Sequence, residues 1–416
     1  MKISELKLKD LFEYLLIIVM FYITGGAFSY IHYSLKIILV FALSLFLCLL
    51  YRKNIFHNIF TVVIVFALSI FLLLPGIILD VDNISSYIAI VLQLLIGLFC
   101  ASFIPFKNFK RKFLNVIVFF AAISLVFFAV SLLKPSVALH FVPIDNVEGA
   151  TVKYYNAYVY VFMEAKGYYS NIILLKRNAG ICWEPGCYQM FLNIALIFLL
   201  EKKPERYSSF VFKFIVLILT IITTVSTTGY LLMLIIVLAR IRHFVPNRKI
   251  TIPIYLLAVV LFIGFLFTPF GATFLDKLSR EFLGGEANRQ NVLSRTSIGA
   301  IPYIFTDGYF IGMGFSKWVS FNFTMYNSII HSFLCLGIPF TLLHLVGLFL
   351  GSKKITNCWI LLFFSIIVCS STETLFWRIF FNSIAFYGWP ELNYVFESYF
   401  KKGIKNESID FWCTDI

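Results

Sequence analysis

Apolar runs recur along the whole chain, separated by polar breaks. A helix that crosses the hydrocarbon of a bilayer needs about 20 mostly apolar residues. The first half offers Leu11–Ser29, Ser34–Leu50, Ile55–Leu79, Tyr87–Phe106 and Phe113–Leu133. A long polar loop, residues 134–185, interrupts them. Spans resume at Gly186–Leu200, Ser209–Val225, Gly229–Arg240 and Thr251–Thr268. A second long loop covers residues 269–326. Asn327–Leu350, Ile355–Ser371 and Thr374–Trp389 complete the set. The pattern predicts an all-α fold, a polytopic helical bundle of about twelve transmembrane helices. It forms a single integral membrane domain over residues 1–416. In the second loop, Leu275, Leu278 and Phe282 stand opposite Lys277 and Arg280. That spacing predicts a short amphipathic helix over Phe274–Phe282, lying in the interface.

Composition supports the spans. The chain is 60% hydrophobic and only 13% charged, against about 25% charged for a soluble domain. This overrides the two or three soluble domains that 416 residues would suggest. The net charge of +13 is then no sign of nucleic acid, because membrane proteins gather Lys and Arg on cytoplasmic loops. Alternate connections are basic. They hold Arg52 and Lys53, Lys107 with Lys110–Lys112, Lys202, Lys203 and Arg206, then Arg240 to Lys249, Lys353 and Lys354, and Lys401 and Lys402. The intervening connections lack this excess, including the acidic Leu79–Ser86 and both long loops. The expected topology has both termini in the cytoplasm and both long loops facing outward. The N-terminus resembles a signal peptide, but further spans follow and Glu13 interrupts its apolar core. It reads as an uncleaved first span.

Candidate chemistry concentrates in the outward loops. Leu175–Asn193 brings Arg177, Glu184 and the breaker Pro185-Gly186 together, directly before an apolar run. Proline fits a helix start because its missing N–H has no partner to lose there. Arg177, Arg280, Arg289 and Arg295 stand where positive-inside sorting disfavours cations. A guanidinium matches phosphate oxygens bidentately and keeps its charge; the alternative is solvated charge paired with Asp276, Glu281, Glu286 or Asp307. His331 begins an apolar run near the outer surface, as a packing residue or a functional one. His344 and His140 read as structural. Ser226–Gly229 could bind a sugar or diphosphate or cap the next helix, and the cap is the preferred reading. Glu373 and Arg378 flank the last span, where they can pair. The tyrosines Tyr154, Tyr155, Tyr158, Tyr160, Tyr168 and Tyr169 form an interfacial belt or stack on sugars. Most cysteines are apolar filler, while Cys182 and Cys187 flank the Trp-Glu-Pro-Gly turn and could pair. No Walker loop, zinc signature or dinucleotide fingerprint is present. No metal and no cofactor is implied.

At these residues the chain resembles the O-antigen polymerase and ligase superfamily, the Wzy-type polymerases of bacterial surface polysaccharide. The run Arg177-Asn-Ala-Gly-Ile-Cys-Trp-Glu184-Pro-Gly186 is similar to that family's R-x-x-G-x-x-x-E-P-G signature. Ser226 to Gly229, Ser294-Arg295, Gly312-Met-Gly314 and Asn327 through His331 to Gly337 are similar more loosely. The likeness runs from about Arg177 to Glu373. It implies glycosyl transfer on the outer face, for O-antigen, capsule or exopolysaccharide. The substrate is an undecaprenyl-diphosphate-linked oligosaccharide, in contact with membrane lipids, and a flippase and a chain-length regulator are candidate partners. The implied roles are diphosphate binding by Arg177, Arg280, Arg289 and Arg295, and proton acceptance by Glu184 or His331. A glycan ligase shares this chemistry, although Ser332 stands where the ligase branch favours Asn. A transporter or flippase ranks behind both, since no internal repeat is visible and charges collect in loops. The topology predicts that Arg295→Cys and Glu184→Cys proteins react with a membrane-impermeant thiol reagent supplied outside intact cells. Protection of both would invert it.

Overall fold

A computed structural model of the chain describes residues 3–26, 33–53, 59–144, 153–164, 177–245, 304–305, 310–316 and 327–390, with isolated positions between 247 and 275. The protein is mostly helical. Helices α1 to α5 are Ile3–Gly25, Tyr33–Leu50, Ile59–Leu79, Ile84–Phe103 and Phe106–Leu133. Next come α6 (Pro185–Leu200), α7 (Tyr207–Thr223) and α8 (Thr227–Phe244). The last group is α9 (Ser328–Leu336), α10 (Ile338–Ile355), α11 (Trp359–Ser370) and α12, over 379–390. Among the described residues, five helices are long and apolar enough to cross a membrane: Phe60–Leu79, Val81–Phe103, Phe106–Leu133, Thr227–Phe244 and Ile338–Ile355. Large apolar side chains also face outward, among them Phe46, Phe66, Ile77, Phe119, Val126 and Phe212. Water tolerates no such continuous apolar exterior on a monomer, whereas lipid does.

Helix α6 forms the axis. It packs against α5, α7, α8 and α11, and every one of its residues except Gly186 is buried. A helix that is apolar all round belongs inside a bundle. Pro185 occupies its first turn and Glu184, in extended backbone, precedes it. Phe191 meets Phe21, Phe113 and Phe380 at ring separations of 4.6 to 6.4 Å, so α1, α5 and α12 close around it.

Charged groups collect at one end of the bundle. Lys112 is fully buried on α5, where its ammonium bonds the Asp10 carboxylate, the Asp10 carbonyl at 2.9 Å and Glu13 at 3.0 Å. Asn108 donates to the same Glu13 carboxylate at 3.0 Å. Glu201 accepts from Lys110 and from the Asn357 backbone. Arg240 donates to the carbonyls of Leu200 and Glu201 at 3.0 and 2.9 Å. A cation there opposes the negative end of the α6 dipole. Arg52, Lys110, Arg240 and Lys354 lie on connections or helix ends read as basic in the sequence. Lys110 and Arg240 both bond Glu201, and Lys354 lies over the Phe106 ring.

The structure departs from the predicted elements in several places; helix α1, for one, starts at Ile3 rather than Leu11. Helix α5 starts at Phe106 rather than Phe113, because the Lys112 ion pairs let a basic stretch enter the helix. Helix α8 runs on to Phe244, carrying Arg240, Arg242 and His243 in or near its last turn. The single span expected over Asn327–Leu350 breaks at Gly337, whose φ is +86°. The loop over 134–185 is not wholly irregular. Among its described residues, Val142–Ile144 (β1), Lys153–Asn156 (β2) and Val161–Glu164 (β3) form an antiparallel sheet in the order β1-β2-β3. Under the sheet, Tyr155, Tyr160 and Phe162 are buried against the partly buried Phe127 and Phe141, and the Phe127 and Tyr160 rings stack at 5.5 Å. Those two tyrosines are core, not an interfacial belt, while Tyr158 is exposed. Tyr168 and Tyr169 lie outside the described residues, as does all of Phe274–Phe282 except Leu275.

The buried charge cluster yields a stability test. Lys112→Met is expected to destabilise the protein by up to about 3–5 kcal/mol, because it takes the buried counterion from Glu13 and leaves that carboxylate only the Asn108 amide and the more distant Lys9 at 3.9 Å. The pair Lys112→Met with Glu13→Leu is expected to recover most of that loss. Thermal unfolding of the purified proteins in detergent measures both.

Candidate functional site

The residues from Arg177 to Glu184 enter the bundle without forming a helix. Buried backbone of that kind must find partners for each N–H and C=O. Asn178 donates through its backbone to Thr223 O at 2.9 Å, and its side-chain amide reaches Ser124 Oγ and Thr223 Oγ1. Its side-chain oxygen accepts from Gly180 N at 2.9 Å. Gly180 O takes the N–H of Val161 from β3, and Trp183 N donates to Gly25 O. Gly180 has a φ of +56°, and a Cβ there would overlap the Tyr188 ring. The tight turn therefore needs glycine. Arg177 donates through Nε to the carbonyl of Thr224 at 3.1 Å, at the C-terminus of α7. One of its five N–H donors is committed there.

Glu184 is half-buried at the start of α6, and its carbonyl accepts from Tyr188 N at 3.2 Å. A second carboxylate meets the same helix start. Glu373, only 6% exposed, rests an oxygen against Gly186 where a Cβ would stand. Glycine at the third position of Glu-Pro-Gly is thus a demand of space. A carboxylate suits the positive end of a helix dipole. Cys187 feels both carboxylates and lies beside Cys182. Both are buried thiols rather than a disulfide, and Gly25 packs against them.

The turn over 371–378 carries Glu373 and continues to Trp377. It is fixed by Ser328, whose hydroxyl lies 2.7 and 2.8 Å from the carbonyls of Ser370 and Glu373. The same hydroxyl accepts from Phe376 N at 3.1 Å. Asn327 caps α9 by accepting from the N–H groups of Ile329 and Ile330. One turn on, the His331 ring lies 5.3 Å from Trp377 and 5.6 Å from Phe315. One short turn therefore joins the start of α6, with Glu184 and Glu373, to the start of α9, with His331.

The Gly312-Met-Gly314 segment closes the arrangement by crossing the break between α9 and α10. Met313 N and Gly314 N donate to Leu334 O and Cys335 O, and Ile338 N donates to Phe310 O. Gly312, Gly314 and Gly337 all have positive φ, and a Cβ on Gly312 or Gly337 would overlap the opposing backbone. Beyond Gly314 the chain meets Asp80, between α3 and α4. Asp80 accepts from Phe315 N at 2.8 Å, Ser316 N at 3.0 Å, Tyr87 Oη at 3.0 Å and Asn83 Nδ2 at 3.1 Å. Desolvation pushes its carboxyl upward, but the bonds from Ser316, Asn83 and Tyr87 outweigh that and hold it below the usual 3.8. It is charged at neutral pH.

Of the residues singled out in the sequence, Arg177, Glu184 and His331 are placed at this one end of the bundle. Arg280, Arg289 and Arg295 lie outside the described residues. Ser226 is a cap, its hydroxyl accepting from Gly229 N at 3.4 Å. His344 is structural, with Nε2 2.9 Å from Phe376 O. Arg378 donates to Thr374 O. Asp80 escaped the sequence reading because its connection stood out only as acidic. Glu373 was visible as a span flank, but its approach to Gly186 depends on a residue far away in sequence. Among the described residues, no three His, Cys, Asp or Glu side chains gather as a metal would require. Comparison with protein-family models, curated proteins and solved structures finds no match.

Gly186→Ala is expected to destabilise the protein by about 1–3 kcal/mol through overpacking against Glu373. In a Glu373→Ala background the same change should cost much less, because neighbouring sites couple. An equal cost in both backgrounds, read by thermal unfolding, would separate the two residues.

Proposed function

We propose that the chain is a polysaccharide polymerase of the bacterial cytoplasmic membrane. About twelve spans hold it there, both termini are cytoplasmic, and the end bearing Glu184 and His331 faces outward. Its reaction joins two lipid-linked glycans. A hydroxyl of one lipid-linked repeat attacks the anomeric carbon of a chain carried on a lipid diphosphate. The new glycosidic C–O bond forms as the bond to the diphosphate breaks. The hydroxyl proton passes to Glu184 or His331, and the lipid diphosphate leaves as an anion.

The observation that carries this reading is that Glu184, Glu373 and His331 lie at one end of the bundle on elements linked by the 371–378 turn, with Arg177 held at the same end. An outward face has no nucleotide supply, so the donor must bring its own leaving group. Departing diphosphate requires positive charge fixed before the reaction. Arg177 is anchored at the α7 terminus, and Arg280, Arg289 and Arg295 are the further cations proposed for that role. Proton transfer needs a base within hydrogen-bond reach, which the two carboxylates and the imidazole can offer. The α6 N-terminus already faces its own carboxylates, so the diphosphate is assigned to the arginines rather than to that helix end.

Purified protein in lipid nanodiscs, supplied with two lipid-linked oligosaccharides, is expected to lengthen the glycan without any ion gradient. Loss of the true base, by Glu184→Gln or His331→Ala, should lower turnover by about 10²–10⁴-fold. Arg177→Lys keeps charge but loses the fork, and should also slow the reaction. Cells lacking the gene should accumulate single repeats on lipid. Long lipid-linked chains in those cells would instead choose a ligase, and unchanged surface polysaccharide would remove both activities.

A further inference from the structure

We infer that Asp80 is a positioning residue that acts on His331 through Phe315. The inference rests on the reading of His331 as a site group, and it adds a residue from the α3–α4 connection, which that reading does not use.

Three donors converge on one oxygen of Asp80. They are Phe315 N, Ser316 N and the Tyr87 hydroxyl, at 2.8, 3.0 and 3.0 Å. Asn83 Nδ2 takes the other oxygen and also reaches the Ser316 hydroxyl. An ionised carboxylate accepts on both oxygens and offers no donor of its own. An asparagine in its place would set its own NH2 against the Asn83 amide or against the backbone donors. Tyr87 binds from the same side, since its hydroxyl also lies 3.0 Å from Phe315 N. Gly314 lets the segment approach, because a Cβ there would lie only 3.0 Å from Asp80 Cβ.

The anchored residue is the one that touches His331. The Phe315 ring lies 5.0 Å from Tyr87 on one side. On the other it meets His331 at 5.6 Å with the planes 76° apart, and His331 meets Trp377 beyond. The imidazole is therefore held between two aromatic rings. One of them is fixed by Ser328 and the 371–378 turn, the other by Asp80. Aromatic edge contacts of this kind are directional, so displacing Phe315 moves one wall of the imidazole's enclosure. A misplacement of about 1 Å can cost about 10²-fold in rate.

The test uses the full-length purified protein. Asn83→Cys with Ser316→Cys places two thiols across the clamp for mild oxidation to a disulfide, quantified by mass spectrometry. Asp80→Ala in that background is expected to lower the cross-linking rate severalfold. Modification of His331 by diethylpyrocarbonate, read on its own peptide, is expected to rise severalfold in Asp80→Ala. It should return toward the parental rate once the disulfide forms, and rise again on reduction. Phe315→Leu, which spares the backbone bonds to Asp80, should raise His331 reactivity alone and leave cross-linking unchanged. In the polymerisation assay, Asp80→Ala should lower kcat by about 10- to 100-fold with KM little changed, and the disulfide should restore it. An unchanged His331 modification rate in Asp80→Ala, or one the disulfide does not reverse, overturns the inference. If His331 responds as stated but no protein lengthens glycans, the positional link holds and the polymerase reading fails.

Discussion

Backbone that leaves a helix inside an apolar bundle has no water to bond, and the described residues contain two such stretches. In lipid, irregular backbone survives at depth only when protein groups satisfy it. Between Arg177 and Glu184, partners come from α1, α5, α7 and β3 through Gly25, Ser124, Thr223 and Val161. Between Phe310 and Ser316 they come from Leu334, Cys335, Ile338 and Asp80. Each stretch is positioned by groups far from it in sequence. Glycines at positive φ, such as Gly180 and Gly314, permit the close approach.

That requirement explains why Glu184, Glu373 and His331 gather at one end of the bundle. Both irregular stretches lie there, and the 371–378 turn fits between them. Glu373 sits on the α6 terminus and Trp377 on His331. Polar groups recruited to satisfy backbone thus become neighbours of groups able to do chemistry. The opposite end solves a different problem. Lys112, Glu13 and Glu201 are buried charges that carry their counterions with them. Removing one partner of such a set is costly, although the set itself adds little net stability. Its value is in fixing how α1 and α6 meet α5.

The end that bears Glu184 is also held rigidly. Helix α6 is buried along nearly its whole length, so its first turn is a stiff platform for Glu184. The small sheet β1–β3 covers the end of α5 with its own aromatic cluster. It hands Val161 to the Arg177–Glu184 stretch. Tyr155 and Tyr160 belong to that packing. Tyrosine enrichment in this loop therefore has a structural cause before any contact with sugar is considered.

The sequence by itself determined the helical class, most of the helices and the grouping of basic connections. Length and apolarity are local properties, and a run of about 20 apolar residues has few other fates. It also marked Glu-Pro-Gly as a helix entrance, because proline and glycine act through their own backbone. Tertiary structure alone decided what crosses the break between α9 and α10 and what the entrance faces. Gly337 and Pro339 stand as breakers in the sequence, but the 310–314 backbone that crosses between α9 and α10 there is announced by no property of residues 327–350. Asp80 and Glu373 gained their neighbours Phe315 and Gly186 by the same route. A close approach between distant segments is a relation between two places in the chain, and a one-dimensional pattern of hydrophobicity records only one place at a time.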